Sequence, residues 1–193
     1  MLEALFQWTM RLGARPYALW ALALIAFVEA SVFPIPPDVL LIPMVLAVRE
    51  RAWRIALVCT LASVLGGFLG YAIGLFLYDQ VGQPVLAFYG YAERFDAFRE
   101  AYNEWGAWIV AVAGVTPFPY KLITIASGVT ALDPVIFGVA SVLARGARFF
   151  LVAGLLWYFG PPIRTFIETN LKLAVTVFFA FLFGGFLVAR YVL

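Results

Sequence analysis

Five charged residues, Glu29, Asp38, Lys121, Arg145 and Arg148, lie inside or at the margins of long apolar stretches. Even insertion-based scales put a cost of about 2.5–3.5 kcal/mol on a charge at the centre of a membrane-crossing helix. Such groups must face a water-filled cavity, pair with one another, or reach an interface. Arg145 and Arg148 stand about 11 and 14 residues into the run that opens at Pro134, too deep for easy snorkelling. The chemistry these residue types offer is transport, not bond-breaking. Glu29 and Asp38 are candidates to take up and release a proton. Lys121, Arg145 and Arg148 are candidates to hold an anionic head group, the arginines through the bidentate fork that suits phosphate. Asp38 and Lys121 are also placed to neutralise each other. Asp133, just before Pro134, reads as a helix N-cap.

The elements that position these charges read as membrane segments. Of the 193 residues 65% are apolar and only 12% charged, about half the charged share of a soluble domain. Residues 55–78 carry no charge at all, and as a helix of about 36 Å they cross the ~30 Å hydrocarbon core. The stretches 17–28 and 39–48 are each too short to cross. Between them stand Pro34, Pro36 and Pro37, which prevent one continuous helix. A re-entrant hairpin of two half-helices fits this pattern best, with a single tilted helix kinked at the prolines as the alternative. Residues 105–120, broken at Pro117 and Pro119, and 122–132 repeat the short, break, short arrangement. Residues 1–15 read as a short interfacial piece, and 91–104 as an amphipathic surface helix with Phe95, Phe98 and Tyr102 at helical spacing. After the run 134–163 comes a connector with Arg164, Glu168 and Lys172, then a final apolar helix at 173–190.

Composition also excludes functions. The sequence has no histidine, which removes HExxH metalloproteases, Ser/His dyads and histidine-based phosphatases. With no clear nucleophile–base pair either, an enzyme is not expected, and neither a metal nor another cofactor is implied. Cys59 stands alone, reads as a packing residue, and rules out a CxxC site. A formal charge of +2 gives no basis for nucleic-acid binding.

The two broken regions align. Pro34-Ile-Pro36-Pro37-Asp38 matches Pro117-Phe-Pro119-Tyr120-Lys121, and each is followed by an apolar half-helix. Farther on, Gly74-Leu-Phe-Leu-Tyr78 corresponds to Gly154-Leu-Leu-Trp-Tyr158. A unit of one hairpin and one crossing, used twice, must sit in opposite orientations. That is the signature of a transporter whose site lies at the repeat interface. The expected fold is therefore an all-α polytopic membrane protein, a single membrane domain over 1–193. It comprises repeat 1 at about 17–78, an acidic amphipathic connector at 79–104, repeat 2 at about 105–160 and an extra C-terminal transmembrane helix at about 173–190. Gly66, Gly70 and Gly74 form a doubled GxxxG face on the first crossing helix, and Gly146 and Gly154 are candidates for the same packing role in the second.

The stretches from Glu29 to Asp38 and from Thr116 to Gly128, and Arg145-Gly-Ala-Arg148 followed by Gly154 and Trp157, resemble the DedA superfamily, whose members share the VTT (SNARE-associated) domain. The short YqaA-type branch is the nearest in pattern. The resemblance implies a multi-pass protein of the bacterial inner membrane with two re-entrant hairpins. It further implies translocation of a lipid phosphate, undecaprenyl phosphate or a phospholipid, coupled to a proton or cation. Carried over by motif, Glu29 and Asp38 match the acidic pair of the first hairpin. Lys121 matches the basic residue after the second turn, and Arg145 or Arg148 the basic position of the next helix. Many family members have a further arginine just before the second turn, where this chain has Val115 and Thr116.

Two other functions fit the same residues: a proton-driven transporter of a small solute or ion, and a non-transporting membrane-organising protein whose charges are structural pairs. Membrane lipids are the expected partners under the first reading, and a homo-oligomer is compatible with all three. Arginine-rich 49–54 and residues 1–15 are expected on the cytoplasmic side, and the acid-rich 79–104 outside. With both hairpins re-entrant, three crossings result. Single cysteines introduced into 49–54 and 79–104 are expected to react with an impermeant maleimide from opposite faces of the membrane; labelling of both from one face contradicts the assignment.

Overall fold

A computed structural model describes residues 17–32, 36–90, 92–116 and 119–169. The described residues are helical throughout, with no strand. The expected N-terminal interfacial piece and the C-terminal helix at 173–190 lie outside them, as do Pro34 and Pro117.

Helix α1 (Ala18–Ser31) is apolar on every face up to Glu29, and its inner stripe is mostly alanine. Ala18, Leu22, Ala26 and Ala30, four residues apart, are buried, while Trp20 and Leu24 point outward. The chain then meets the proline cluster, and α2 (Asp38–Ala47) starts directly after Pro37, whose φ of −65° is preset for a helix N-terminus. At about 21 and 15 Å, neither helix spans a bilayer alone. A 3-10 turn, Arg49–Arg51, leads into α3 (Ala52–Leu77), a helix of 26 residues.

The helical path does not stop at Tyr78. It continues through a π turn, Tyr78–Gly82, into α4 (Gln83–Tyr89), which Gly90 ends in the left-handed conformation at φ 69°. The stretch Arg49–Phe88 and the stretch Pro134–Gly160 are long and apolar enough to cross a membrane.

Helix α5 (Ala92–Val115) joins two segments that the sequence separates. The amphipathic stretch up to Glu104 and the apolar limb from Trp105 onward are one uninterrupted helix, because no proline or glycine pair falls between them. Its Phe95, Phe98 and Tyr102 rings form the expected ladder, with centroids 6.2 and 5.9 Å apart. Helix α6 (Tyr120–Val129) follows the second break, and α7 (Pro134–Thr169) opens on Asp133. The Asp133 carboxylate accepts the Val135 and Ile136 amides at 2.8 and 2.9 Å, the N-cap read from sequence. Helix α7 continues past Gly160 and takes in Arg164 and Glu168, which the sequence places in a connector. The fixed φ of Pro161 and Pro162 is compatible with helix.

Each of α3 and α7 is packed by one helix from its own half of the chain and by one short helix from the other. Helix α1 lies on α3 and α5 on α7, whereas α2 packs chiefly on α7 and α6 chiefly on α3. The GxxxG face of α3 makes this possible. A Cβ at Gly66 would fall on the Phe27 carbonyl of α1, one at Gly70 on the Thr124 side chain of α6, and one at Gly74 on the Ile125 carbonyl of α6. Gly128 of α6 returns the contact, facing the Tyr71 carbonyl. The α3–α6 crossing is thus backbone against backbone.

Two apolar cores result. One gathers Leu22, Leu41, Met44, Ile55, Cys59 and Phe149, and the other Tyr71, Val110, Tyr120, Leu132 and Phe137. On α3 and α7 the residues between these cores include Ser63 and Arg145. Replacing Gly74 by Val is expected to cost about 2 kcal/mol or more, because a backbone carbonyl cannot step aside. Gly146→Ala, whose new methyl meets only the Thr60 methyl at 3.8 Å, is expected to leave stability within about 1 kcal/mol of the parent. Unfolding of both variants in detergent micelles checks the contrast.

Candidate functional site

The residues between the two cores form a layer of paired charges. Arg145 and Arg148 stand three residues apart on α7, so their side chains leave the same face of that helix. Arg145 donates from Nη2 to Glu29 Oε2 at 2.8 Å and from Nε to Ser63 Oγ at 2.7 Å. Its guanidinium lies between two rings, 4.8 Å from the Tyr120 centroid and 4.7 Å from that of Phe149. The side chain is only 2% exposed, and Glu29 only 16%. Arg145 therefore ties the end of α1 to the middle of α3, with α6 and α7 supplying the aromatic faces.

Arg148 does something different. It donates from Nη2 to Asp38 Oδ2 at 2.7 Å and from Nη1 to the Thr116 carbonyl at 3.1 Å. Asp38 is the first residue of α2, just after the first proline break, and Thr116 is the last described residue before the second. One guanidinium joins the two breaks. It remains 19% exposed against 7% for its carboxylate partner, so it is the more accessible of the two arginines.

A neutral network surrounds the charges. The Tyr120 hydroxyl donates to Ser141 Oγ at 2.5 Å and fixes the ring that covers Arg145. Thr124 Oγ1 shares its one hydrogen between the Ala30 carbonyl at 3.1 Å and the Lys121 carbonyl at 2.9 Å, fastening α6 to the end of α1. Farther along α6, the Thr130 carbonyl accepts Arg99 Nε at 2.9 Å and Asn103 Nδ2 at 3.0 Å, which holds the C-terminal end of α6 against α5.

Four of the five candidate charges thus come together, and as two pairs. Lys121 does not join them. The expected Asp38–Lys121 neutralisation is replaced by Asp38–Arg148, because α2 packs chiefly on α7 while α6, which carries Lys121, packs chiefly on α3. Lys121 is half-buried on the first turn of α6 and has no ion pair among the described residues. Of the turn prolines, Pro37 caps α2, Pro36 lies one residue before it, and Pro119 (φ −62°, ψ 96°) caps α6. Sequence reasoning missed Ser63, Thr116, Tyr120, Ser141 and Phe149. Ser63 and Ser141 stand as polar groups inside apolar stretches, a signal that does not say whether they bond locally or across the bundle; Phe149 and the Thr116 carbonyl carried none.

The chain matches the family model described as VTT domain over residues 35–158. It is 35% identical over 165 residues to a Haemophilus influenzae protein named "Uncharacterized protein", an alignment covering 86% of this chain and 85% of that one. It is 36% identical over 168 residues to the "Uncharacterized protein HI0703 homolog" of Histophilus somni, covering 87% of each. No solved structure matches.

Removing one partner from a buried ion pair typically costs 3–5 kcal/mol, because the other charge is left uncompensated. Arg145→Met is expected to destabilise the protein by about that much. The double variant Glu29→Gln with Arg145→Met is expected to recover most of the loss. Unfolding in detergent micelles reads both, and a cost below about 1 kcal/mol for Arg145→Met contradicts the structural role assigned to it.

Proposed function

Because the chain belongs to the VTT-domain (DedA) family, which points to a membrane transporter or a related function, we propose that it translocates a lipid phosphate across the inner membrane of a bacterium. The observation that carries this reading is the pair of hydrogen bonds that Arg148 donates, one nitrogen to Asp38 and one to the Thr116 carbonyl. A phosphate oxygen is a better partner for a guanidinium than a carbonyl, and a phosphate presents two oxygens in the right fork. A head group that takes Arg148 releases Asp38 and Thr116 together, and both breaks are freed in one event. The vacated Asp38 carboxylate is left without a cation among apolar neighbours, which favours its return to Arg148 once the head group has passed. A proton or cation is the proposed coupling ion. Lys121 contributes the net positive charge left over once the two pairs have cancelled.

In this reading the two halves are inverted repeats, each a re-entrant hairpin followed by a crossing helix. The exchange of short helices supports it, since α2 and α6 each lean chiefly on the long helix of the opposite half. The lipid tail stays in the bilayer while the head group passes the charge layer.

A second reading has one specific observation behind it. Arg145 is fully enclosed by Glu29, Ser63, Tyr120 and Phe149, as a structural tie in a membrane-organising protein would be. The two readings part at Arg148. In vesicles reconstituted with the purified protein and a fluorescent lipid phosphate, bleaching of the outer leaflet reports flipping. Transport requires that Arg148→Gln and Asp38→Asn each lower the rate at least about tenfold, and Lys121→Gln by less. Wild-type rates in Arg148→Gln and Asp38→Asn favour the membrane-organising reading.

A further inference from the structure

The connection between α2 and α3 carries a net positive charge that no ion pair among the described residues neutralises. Arg49 and Arg51 flank Glu50 in one 3-10 turn, and Arg54 follows on the first turn of α3. Glu50, Arg51 and Arg54 are exposed, and none of the four charges forms an ion pair among the described residues. Arg49 folds back against α7. Its Nη2 makes one long bond, 3.4 Å, to the Tyr158 carbonyl, and its Nε is buried with no acceptor among the described residues, against Gly160. A guanidinium held in place with a buried N–H that lacks such an acceptor is an incomplete arrangement.

Aromatic side chains surround this charge. The Trp53 ring lies across Gly154, with its centroid 6.1 Å from both Phe150 and Trp157. Trp53, Trp157, Tyr158 and Phe159 are all exposed at this end of α7. Tryptophan and tyrosine collect where hydrocarbon meets head groups, one part of the ring in each. A soluble anion would satisfy the arginines and leave these rings in water. A phospholipid satisfies both, with its phosphate on the guanidinium groups and its glycerol and upper acyl carbons on the rings.

We propose that Arg49, Arg51 and Arg54, together with Trp53 and Trp157, form a binding site for the head group of an anionic phospholipid, separate from the charge layer between the two cores. The phosphate completes the donors of Arg49, and the exposed Arg51 and Arg54 add attraction at short range. The bound lipid sets the depth of the α2–α3 connection and of the adjoining part of α7. This site does not depend on the transport reading, because it uses none of the residues assigned to it.

The test is native mass spectrometry of the full chain released from mixed micelles, titrated with phosphatidylglycerol or with phosphatidylcholine of the same acyl chains. Each basic residue near a phospholipid surface adds about 1 kcal/mol, so a net excess of two gives a preference of about 30-fold for phosphatidylglycerol. Arg49→Gln with Arg51→Gln and Arg54→Gln is expected to abolish that preference. Arg51→Gln alone, at an exposed position that leaves the packed Arg49 in place and a net excess of one, is expected to give an intermediate preference of about fivefold. Arg94→Gln, at a basic residue on α5, is expected to leave the preference unchanged. Equal affinity for the two lipids overturns the site. So does a preference that survives the triple substitution, or one that disappears in Arg94→Gln.

Discussion

Two guanidinium groups one helical turn apart, set between two apolar cores, have to find partners inside the protein. The partners they find determine which parts of the chain are tied together. Arg145 takes the last turn of α1 and the middle of α3, and Arg148 takes the first residue of α2 and the carbonyl that precedes the second break. The proline breaks sever the helices that would otherwise run through this depth. The arginines of α7 bridge the severed ends. Hydrophobic packing alone would not hold the breaks in register, since apolar side chains slide past one another at little cost in a hydrocarbon surround.

The rest of the architecture serves this arrangement. Short helices of 14 and 10 residues bring their charged ends to the layer between the two cores because they stop there. Glycines on α3 let α1 and α6 approach until backbone meets backbone, which places Thr124 within reach of the Ala30 carbonyl. Tyr120 heads α6 at the break, and its ring covers Arg145 only because its hydroxyl is anchored on Ser141 of α7. The two arginines consequently differ in character despite their proximity. Arg145 is enclosed by two rings, a hydroxyl and a carboxylate, while Arg148 keeps an accessible edge.

Much of this was legible in the sequence where the physics is local. Runs of apolar residues, paired prolines and the cost of an intramembrane charge identified the helices, the breaks and four of the residues that meet between the cores. The Asp133 cap could be read because an N-cap involves neighbours in the chain. Pairing across the fold could not be read. Aligning the two breaks put Asp38 opposite Lys121, whereas the packing of α2 on α7 puts it beside Arg148. The continuity of α5 through Glu104 and Trp105 was hidden by the change from charged to apolar composition, which looks like a boundary and is only a change of surroundings. Ser63 was overlooked because a single serine in a long apolar helix hydrogen-bonds locally as easily as across the bundle.

The account stands on the identity of the partner that Asp38 keeps. A double-mutant cycle measures it directly: unfolding free energies of the parent, Asp38→Asn, Arg148→Gln and the two combined, beside the same cycle with Lys121→Gln in place of Arg148→Gln. A coupling of about 2 kcal/mol or more for Asp38 with Arg148, and less than about 0.5 kcal/mol for Asp38 with Lys121, is the expected result. The reverse ordering, or additivity in both cycles, contradicts it.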